Sequence, residues 1–147
     1  MATPPSPDVL RLNVQELNTF FSEAFGAGEL SASVTELTPG RVRVVRPANQ
    51  VALRPGGVIS GPTMMALADM AVYALVLGHI GIVPMAVTTS LTMHFLRPAK
   101  PGDLIGDGTL LRLGRRIATA EVRLWSESPD RIAAHATVAY AIPEGVH

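Results

Sequence analysis

Residues 13–25, NVQELNTFFSEAF, set Leu17, Phe20, Phe21 and Phe25 at intervals of one, three and four, along a single helical face. Gly26 and Gly28 follow as a stop. The pattern then changes to alternation. SASVTEL (31–37) and RVRVVRP (41–47) flank Pro39-Gly40 and read as a β-hairpin. NQVALRPGGVIS (49–60) is rich in turn residues and reads as a loop. A long apolar run follows and predicts a helix over 61–80. Ser60 suits its N-cap, and Pro62 is tolerated in a first turn. Apolar side chains occur nearly all round this helix, so burial on most sides is expected. Beyond Pro84, four β-rich segments (86–99, 103–114, 116–127 and 131–142) predict four strands. Gly102, Gly114-Arg115 and Ser128-Pro129-Asp130 mark the turns between them.

The order is helix, two strands, long helix, four strands. It implies an α+β fold in which antiparallel strands curl around one apolar helix and bury it completely. Residues 1–12 read as a flexible N-terminal arm, and 13–147 as one domain without internal repeats.

Composition narrows the function classes. Charged residues make up 16% of the 147-residue chain and hydrophobic ones 48%. So few charges on a small domain suggest that part of its surface is covered in an oligomer. Formal net charge is zero, which gives no electrostatic footprint for nucleic acid or an acidic membrane. The chain has no cysteine, which excludes a disulfide framework, thiolate metal sites and a cysteine nucleophile. The start, MATPPSPDVL, lacks the pattern of a signal peptide, so a cytoplasmic location is expected. The run 63–84 is long enough to span a membrane. It contains Asp69 and His79 and has no close basic flank, so a buried helix of a soluble protein is the better reading.

Several chemistries are missing. GVISG (57–61) has the wrong spacing for a nucleophile elbow. No metal-ligand cluster, Walker A motif or dinucleotide fingerprint occurs. Neither a metal nor a cofactor is therefore expected. His79, His94, His135 and His147 are scattered and read as structural or surface residues, with His94 the least bland.

Asp69 is the single acid or base, histidine aside, between Arg54 and Arg97. A carboxylate in a buried helix is costly unless paired. Thr88, Thr89, Ser90 and Thr92 on the next strand could supply hydroxyl partners, and a structural role and a functional one are equally open. The helix start at Ser60-Gly61-Pro62 carries N–H groups without intrahelical partners, which can polarise a carbonyl oxygen. Gly61 has no side chain to block approach. Gly61 and Asp69 are about 12 Å apart along a helix, too far for one small reacting group. If both serve one site, one of them must come from a second copy of the chain, as in a two-fold dimer with antiparallel helices.

These features resemble the hotdog-fold thioesterases, specifically the PaaI-like acyl-CoA thioesterase group. In that family the buried helix opens with H-G-G, and an acid follows seven residues after the second glycine. Ser60-Gly61-Pro62 takes that place here, and Asp69 falls at that spacing. AVTTSLTMHFLRPAKPGD (86–103) and LGRRIATAEVRLW (113–125) resemble the family's following strand and hairpin. The likeness runs in order over residues 40–142.

The resemblance implies that Asp69 is the nucleophile, or the general base that activates water, in hydrolysis of a small or medium acyl-CoA. It implies that the N–H of Gly61, from a partner chain, polarises the thioester carbonyl. Ser60 stands at the motif histidine and Thr88 at a position that helps orient water. Arg54, Pro62 and Ser90 are placed around the substrate. Arg97, Lys100, Arg115 and Arg116 are expected at the phosphates of coenzyme A. The active unit is expected to be a homodimer, or dimers paired into a homotetramer, with sites at the dimer interface. Coenzyme A enters only as part of the substrate. Ser60, Pro62 and Arg54 depart from the family pattern, which has histidine, glycine and commonly asparagine or glutamine there. Two alternatives on the same fold are a non-catalytic acyl-CoA or fatty-acyl binding protein and an enoyl-CoA hydratase. The hydratase is the weaker, because the nearest histidine after Asp69 is ten residues on, at His79.

Overall fold

The computed structural model describes residues 4–26 and 31–146. Helix α1 (Val14–Phe25) starts at Asn13, whose side chain and that of Glu16 form a reciprocal capping box, and it ends at Gly26. Gly28 and His147 lie outside the described residues. Strands β1 (Ser33–Thr38) and β2 (Arg41–Arg46) form the expected hairpin, with Gly40 at φ +79° in its turn. The expected loop contains a 3-10 turn (Ala48–Gln50) and a small hairpin of β3 (Leu53–Arg54) and β4 (Val58–Ile59). Helix α2 spans Gly61–Ile80. Then come β5 (Val87–Phe95), β6 (Leu104–Leu113), β7 (Ile117–Trp125) and β8 (Ala134–Ala141).

Six strands form one antiparallel sheet in the order β1-β2-β6-β7-β8-β5. One face packs on α2. Its inward residues are small where the helix comes close. On β6, a Cβ added at Gly106 would stand 3.6 Å from Leu67, and one at Gly108 would stand 3.8 Å from Leu75. Ala118, Ala120, Ala134 and Ala136 extend this shallow floor and are fully buried. The opposite face carries a polar ladder. Arg43 forks onto Asp107 at 2.6 and 3.2 Å, and the Trp125 indole donates to Asp107 at 2.9 Å.

Two expectations need correction. The helix is not buried completely: 14 of its 20 residues are, while Pro62, Met65 and Ala66 are exposed and Asp69 is half-buried. These positions recur at helical spacing, so they form one stripe that the sheet of a single chain does not cover. Nor does the described part of the N-terminal arm stand free. Arg11 and Leu12 donate backbone N–H bonds to Gly78 O, and Ser6 O and Val9 O meet Nδ1 of His79 at 2.9 and 3.1 Å. Gly40 N–H donates to the other ring nitrogen, so Nδ1 carries the proton. His79 is fully buried and ties the arm to the β1–β2 turn, a structural task.

The two sheet edges differ. At β1, the Asn18 amide of α1 accepts from Val34 N and donates to Val34 O, both at 2.9 Å, closing that edge locally. At β5, nothing among the described residues pairs with the outer side of the strand. Apolar side chains are exposed along it and just beyond its ends: Met85 (71%), Val87 (47%), Phe95 (52%) and Leu96 (53%).

Candidate active site

Asp69 lies two turns into α2, where the helix passes over the paired ends of β5 and β8. Its Oδ1 accepts hydrogen bonds from Thr88 Oγ1 at 2.6 Å and from the Tyr140 hydroxyl at 2.7 Å. The Tyr140 hydroxyl also lies 3.2 Å from the Asp69 backbone carbonyl. Oδ2 has no hydrogen-bond partner among the described residues. Two short donors on one oxygen hold the carboxylate in one orientation and leave the other oxygen open.

Thr88 reaches this oxygen because of a bulge. Leu91 and Met93 pack against the core, so simple alternation along β5 would turn Thr88 to the opposite face. The register shifts between Thr88 and Ser90: Thr88 pairs with Tyr140, Ser90 with Ala139, and Thr89 is the extra residue. Thr88 therefore faces the helix. Ser90 falls on the outer face of the sheet, away from Asp69. His94 is on that outer face too, opposite His135.

Tyr140 is the site residue that sequence reasoning missed. It continues the buried row Ala134, Ala136 and Val138 of β8 and is itself 3% exposed. A hydroxyl ending an otherwise apolar row was the signal available. Its ring stacks on Tyr73 of α2, with centroids 5.6 Å apart and planes at 11°. Burial, then the charge of Asp69, push the Tyr140 phenol far above its ordinary range, so it stays a donor. Burial raises Tyr73 as well.

The second half of the candidate chemistry is the start of α2. Ser60 Oγ lies 2.7 Å from Thr63 Oγ1 and accepts the Thr63 N–H, so this hydroxyl acts as a helix cap. Met64 N–H goes to Ser60 O, and Pro62 has no N–H. Gly61 keeps the one unpaired backbone N–H of this first turn. The Phe95 ring rests on Gly61, where an added Cβ would meet it at 3.3 Å. Arg54, Gly61, Pro62, Met64, Phe95 and Arg97 line a cavity of about 700 Å³ at this end.

The four predicted phosphate-binding residues do not converge within one chain. Arg97 and Lys100 lie beside the α2 start, with Lys100 paired to Glu127 at 3.5 Å in an exposed contact. Arg115 and Arg116 lie at the other end of β8, where Arg116 pairs with Glu144 at 2.6 Å, also exposed. The eight residues of β8 separate the two groups, roughly 26 Å of strand. Among the described residues, no group of three or more histidine, aspartate or glutamate side chains is arranged to hold a metal ion.

Comparison with known proteins identifies the frame around these groups. Residues 56–133 match the family model of the thioesterase superfamily. The solved structure of a candidate thioesterase from Silicibacter sp. TM1040 is 37% identical, with a TM-score of 0.85, covering 94% of this chain and 96% of that one. Phenylacetic acid degradation protein PaaI from Thermus thermophilus, solved as a point mutant, is 28% identical, with a TM-score of 0.66, over 84% of this chain and 98% of its own. A candidate esterase of Thermoplasma acidophilum is 25% identical over 108 residues, 74% of this chain and 81% of that protein. The family match spans more than half of the chain, and the architecture around α2 is the hotdog fold. This chain belongs to the thioesterase superfamily, in its PaaI-like group.

Proposed function

We propose that this protein hydrolyses small or medium acyl-CoA thioesters, and that it does so as a two-fold dimer or a pair of such dimers. The observation that carries the reading is Asp69 itself, a half-buried carboxylate with one oxygen tied down by two hydroxyls and the other open. On the same helix the open N–H of Gly61 stands about 12 Å away, beyond the reach of one thioester. Antiparallel pairing of two copies along β5 would set each Asp69 near the partner's Gly61. It would also cover the Pro62–Met65–Ala66 stripe and the exposed apolar residues at β5.

In this reading the partner's Gly61 N–H polarises the thioester carbonyl. Oδ2 of Asp69 either takes a proton from the attacking water or attacks the carbonyl carbon itself. The tetrahedral adduct collapses with loss of the coenzyme A thiolate. Attack by water gives the free acid directly, whereas attack by Asp69 leaves a mixed anhydride on its carboxylate, which a water then hydrolyses to the free acid and Asp69. Thr88 holds Asp69 and borders the water's approach. Ser60 sets the helix start that presents Gly61. Arg54 and Pro62 border the acyl end in the cavity at the α2 start. Arg97 and Lys100 of one copy, or Arg115 and Arg116 of the other, meet the coenzyme A phosphates. The site requires neither a metal nor a cofactor, and the protein is proposed to work in the cytoplasm.

Purified protein assayed for thiol release against a panel of acyl-CoA thioesters tests this. Asp69→Asn is expected to lower turnover by at least about a hundredfold with the fold kept, since acid–base roles carry ~10²–10⁴. Unchanged hydrolysis in a folded Asp69→Asn protein refutes the assignment. A second reading, acyl-CoA binding without turnover, draws on Pro62, which leaves the first helical turn with a single open donor. Tight acyl-CoA binding with no thiol release would favour it.

A further inference from the structure

Thr88 and Tyr140 spend their hydroxyls on the same oxygen of Asp69, at 2.6 and 2.7 Å. Carboxylate oxygens are equivalent until something distinguishes them. We propose that Tyr140 is a positioning residue, whose hydroxyl holds Oδ1 of Asp69 so that Oδ2 alone is presented to water or thioester. This rests on the thioesterase reading for its catalytic consequence, though not for the hydrogen bond itself.

The geometry separates this role from two others. Tyr140 is not the proton donor to the leaving thiolate. Tyr140 is 3% exposed, and its hydroxyl is already committed to Asp69, at Oδ1 and at the backbone carbonyl. Nor is it an acyl-pocket wall, since its ring is covered by Tyr73, whose own hydroxyl donates to Pro84 O at 3.1 Å. That stack fixes the plane of the Tyr140 ring and so the direction of its O–H. Tyr140 thus acts on the reaction only through Asp69. Removing its hydroxyl leaves Thr88 as the one donor and frees the carboxylate to turn.

The test is Tyr140→Phe, which keeps the ring and the stack, measured alone and combined with Asp69→Asn in single turnovers at enzyme excess. Hydrogen bonds to charged groups set the scale, and the chemical rate is expected to fall about tenfold or more with KM nearly unchanged and the fold kept, the melting temperature falling only by the loss of this one bond. In the Asp69→Asn background the same change is expected to add no further loss, because the two act as a unit. A rate within twofold of the parent, or an equal loss in the Asp69→Asn background, overturns the proposal.

A second measurement does not depend on turnover. The chain has two tyrosines, so a slowly exchanging Tyr140 hydroxyl proton can be assigned by its loss in Tyr140→Phe. Its resonance is expected to move markedly in Asp69→Asn. A Tyr140 hydroxyl that ignores Asp69→Asn, or exchanges freely, overturns the proposal. If the parent protein releases no thiol from any thioester, the thioesterase reading fails, and the hydroxyl proton still decides whether Tyr140 holds Asp69.

Discussion

Thr88 and Tyr140 are register partners on adjacent strands, and their hydroxyls meet on one oxygen of one carboxylate. The strand positions that continue inward from them are apolar. Leu91 and Met93 follow Thr88, and Val138 and Ala136 precede Tyr140. The two hydroxyls are the polar end of an apolar floor, and Asp69 is the group above them. A carboxylate half-buried over such a floor needs donors, and it receives them on one side only.

Thr88→Ala is expected to lower turnover about tenfold, the cost of one hydrogen bond to a charged group, while Thr88→Ser retains most of it. The melting temperature should move little, because Thr88 is exposed apart from this contact. Steady-state kinetics with thermal melts check both parts.

Gly61→Ala separates stability from activity. Alanine is the better helix former by up to about 1 kcal/mol, and the Phe95 ring at 3.3 Å is a side chain able to yield. Stability in urea is therefore expected to hold or rise. The added methyl group stands beside the open N–H, so kcat/KM should fall roughly tenfold or more. An unimpaired Gly61→Ala enzyme would remove Gly61 from the proposed chemistry.

Met65→Glu tests the shared site. Met65 is 42% exposed on the uncovered stripe of α2, so a single chain should tolerate the charge. Two such charges facing each other in a dimer should not be tolerated. Light scattering is expected to show a folded monomer, and thiol release should fall with dimer content. A fully active monomer would contradict a site built from two chains.

Alkaline pH should weaken the fold through its tyrosines. Both Tyr73 and Tyr140 hold their protons above the ordinary value of about 10. Above that pH the unfolded chain loses phenolic protons while the folded chain keeps them. Unfolding then releases protons, and stability falls as pH rises. Chemical denaturation between pH 8 and about 11 should show a decline beginning near 10, and phenolate absorbance should appear together with unfolding.

The period of side chains along the chain made the elements legible. Spacing of three and four marked α1, and a long apolar run behind a serine N-cap, with a proline in its first turn, marked α2 at its observed bounds of Gly61–Ile80. Alternation and turn residues marked the hairpin and the four later strands. Asp69 stood out as a charge in an apolar run, and its separation from Gly61 followed from helical rise alone. These are local properties, set by the backbone geometry of neighbours in sequence.

What depended on contacts between distant segments was not legible. The bulge at Thr89 turns Thr88 inward and leaves Ser90 outward, and a shift of one residue in pairing decides it. Tyr140 reaches Asp69 across 71 residues of chain. Ser60 was legible as an N-cap, but its second contact, with the Thr63 hydroxyl at 2.7 Å, became visible only with side chains placed. The uncovered stripe of α2 and the open edge at β5 arise because a six-stranded sheet curls only part of the way around a helix. Periodicity says which residues share a face, whereas strand pairing and sheet curvature decide what that face meets.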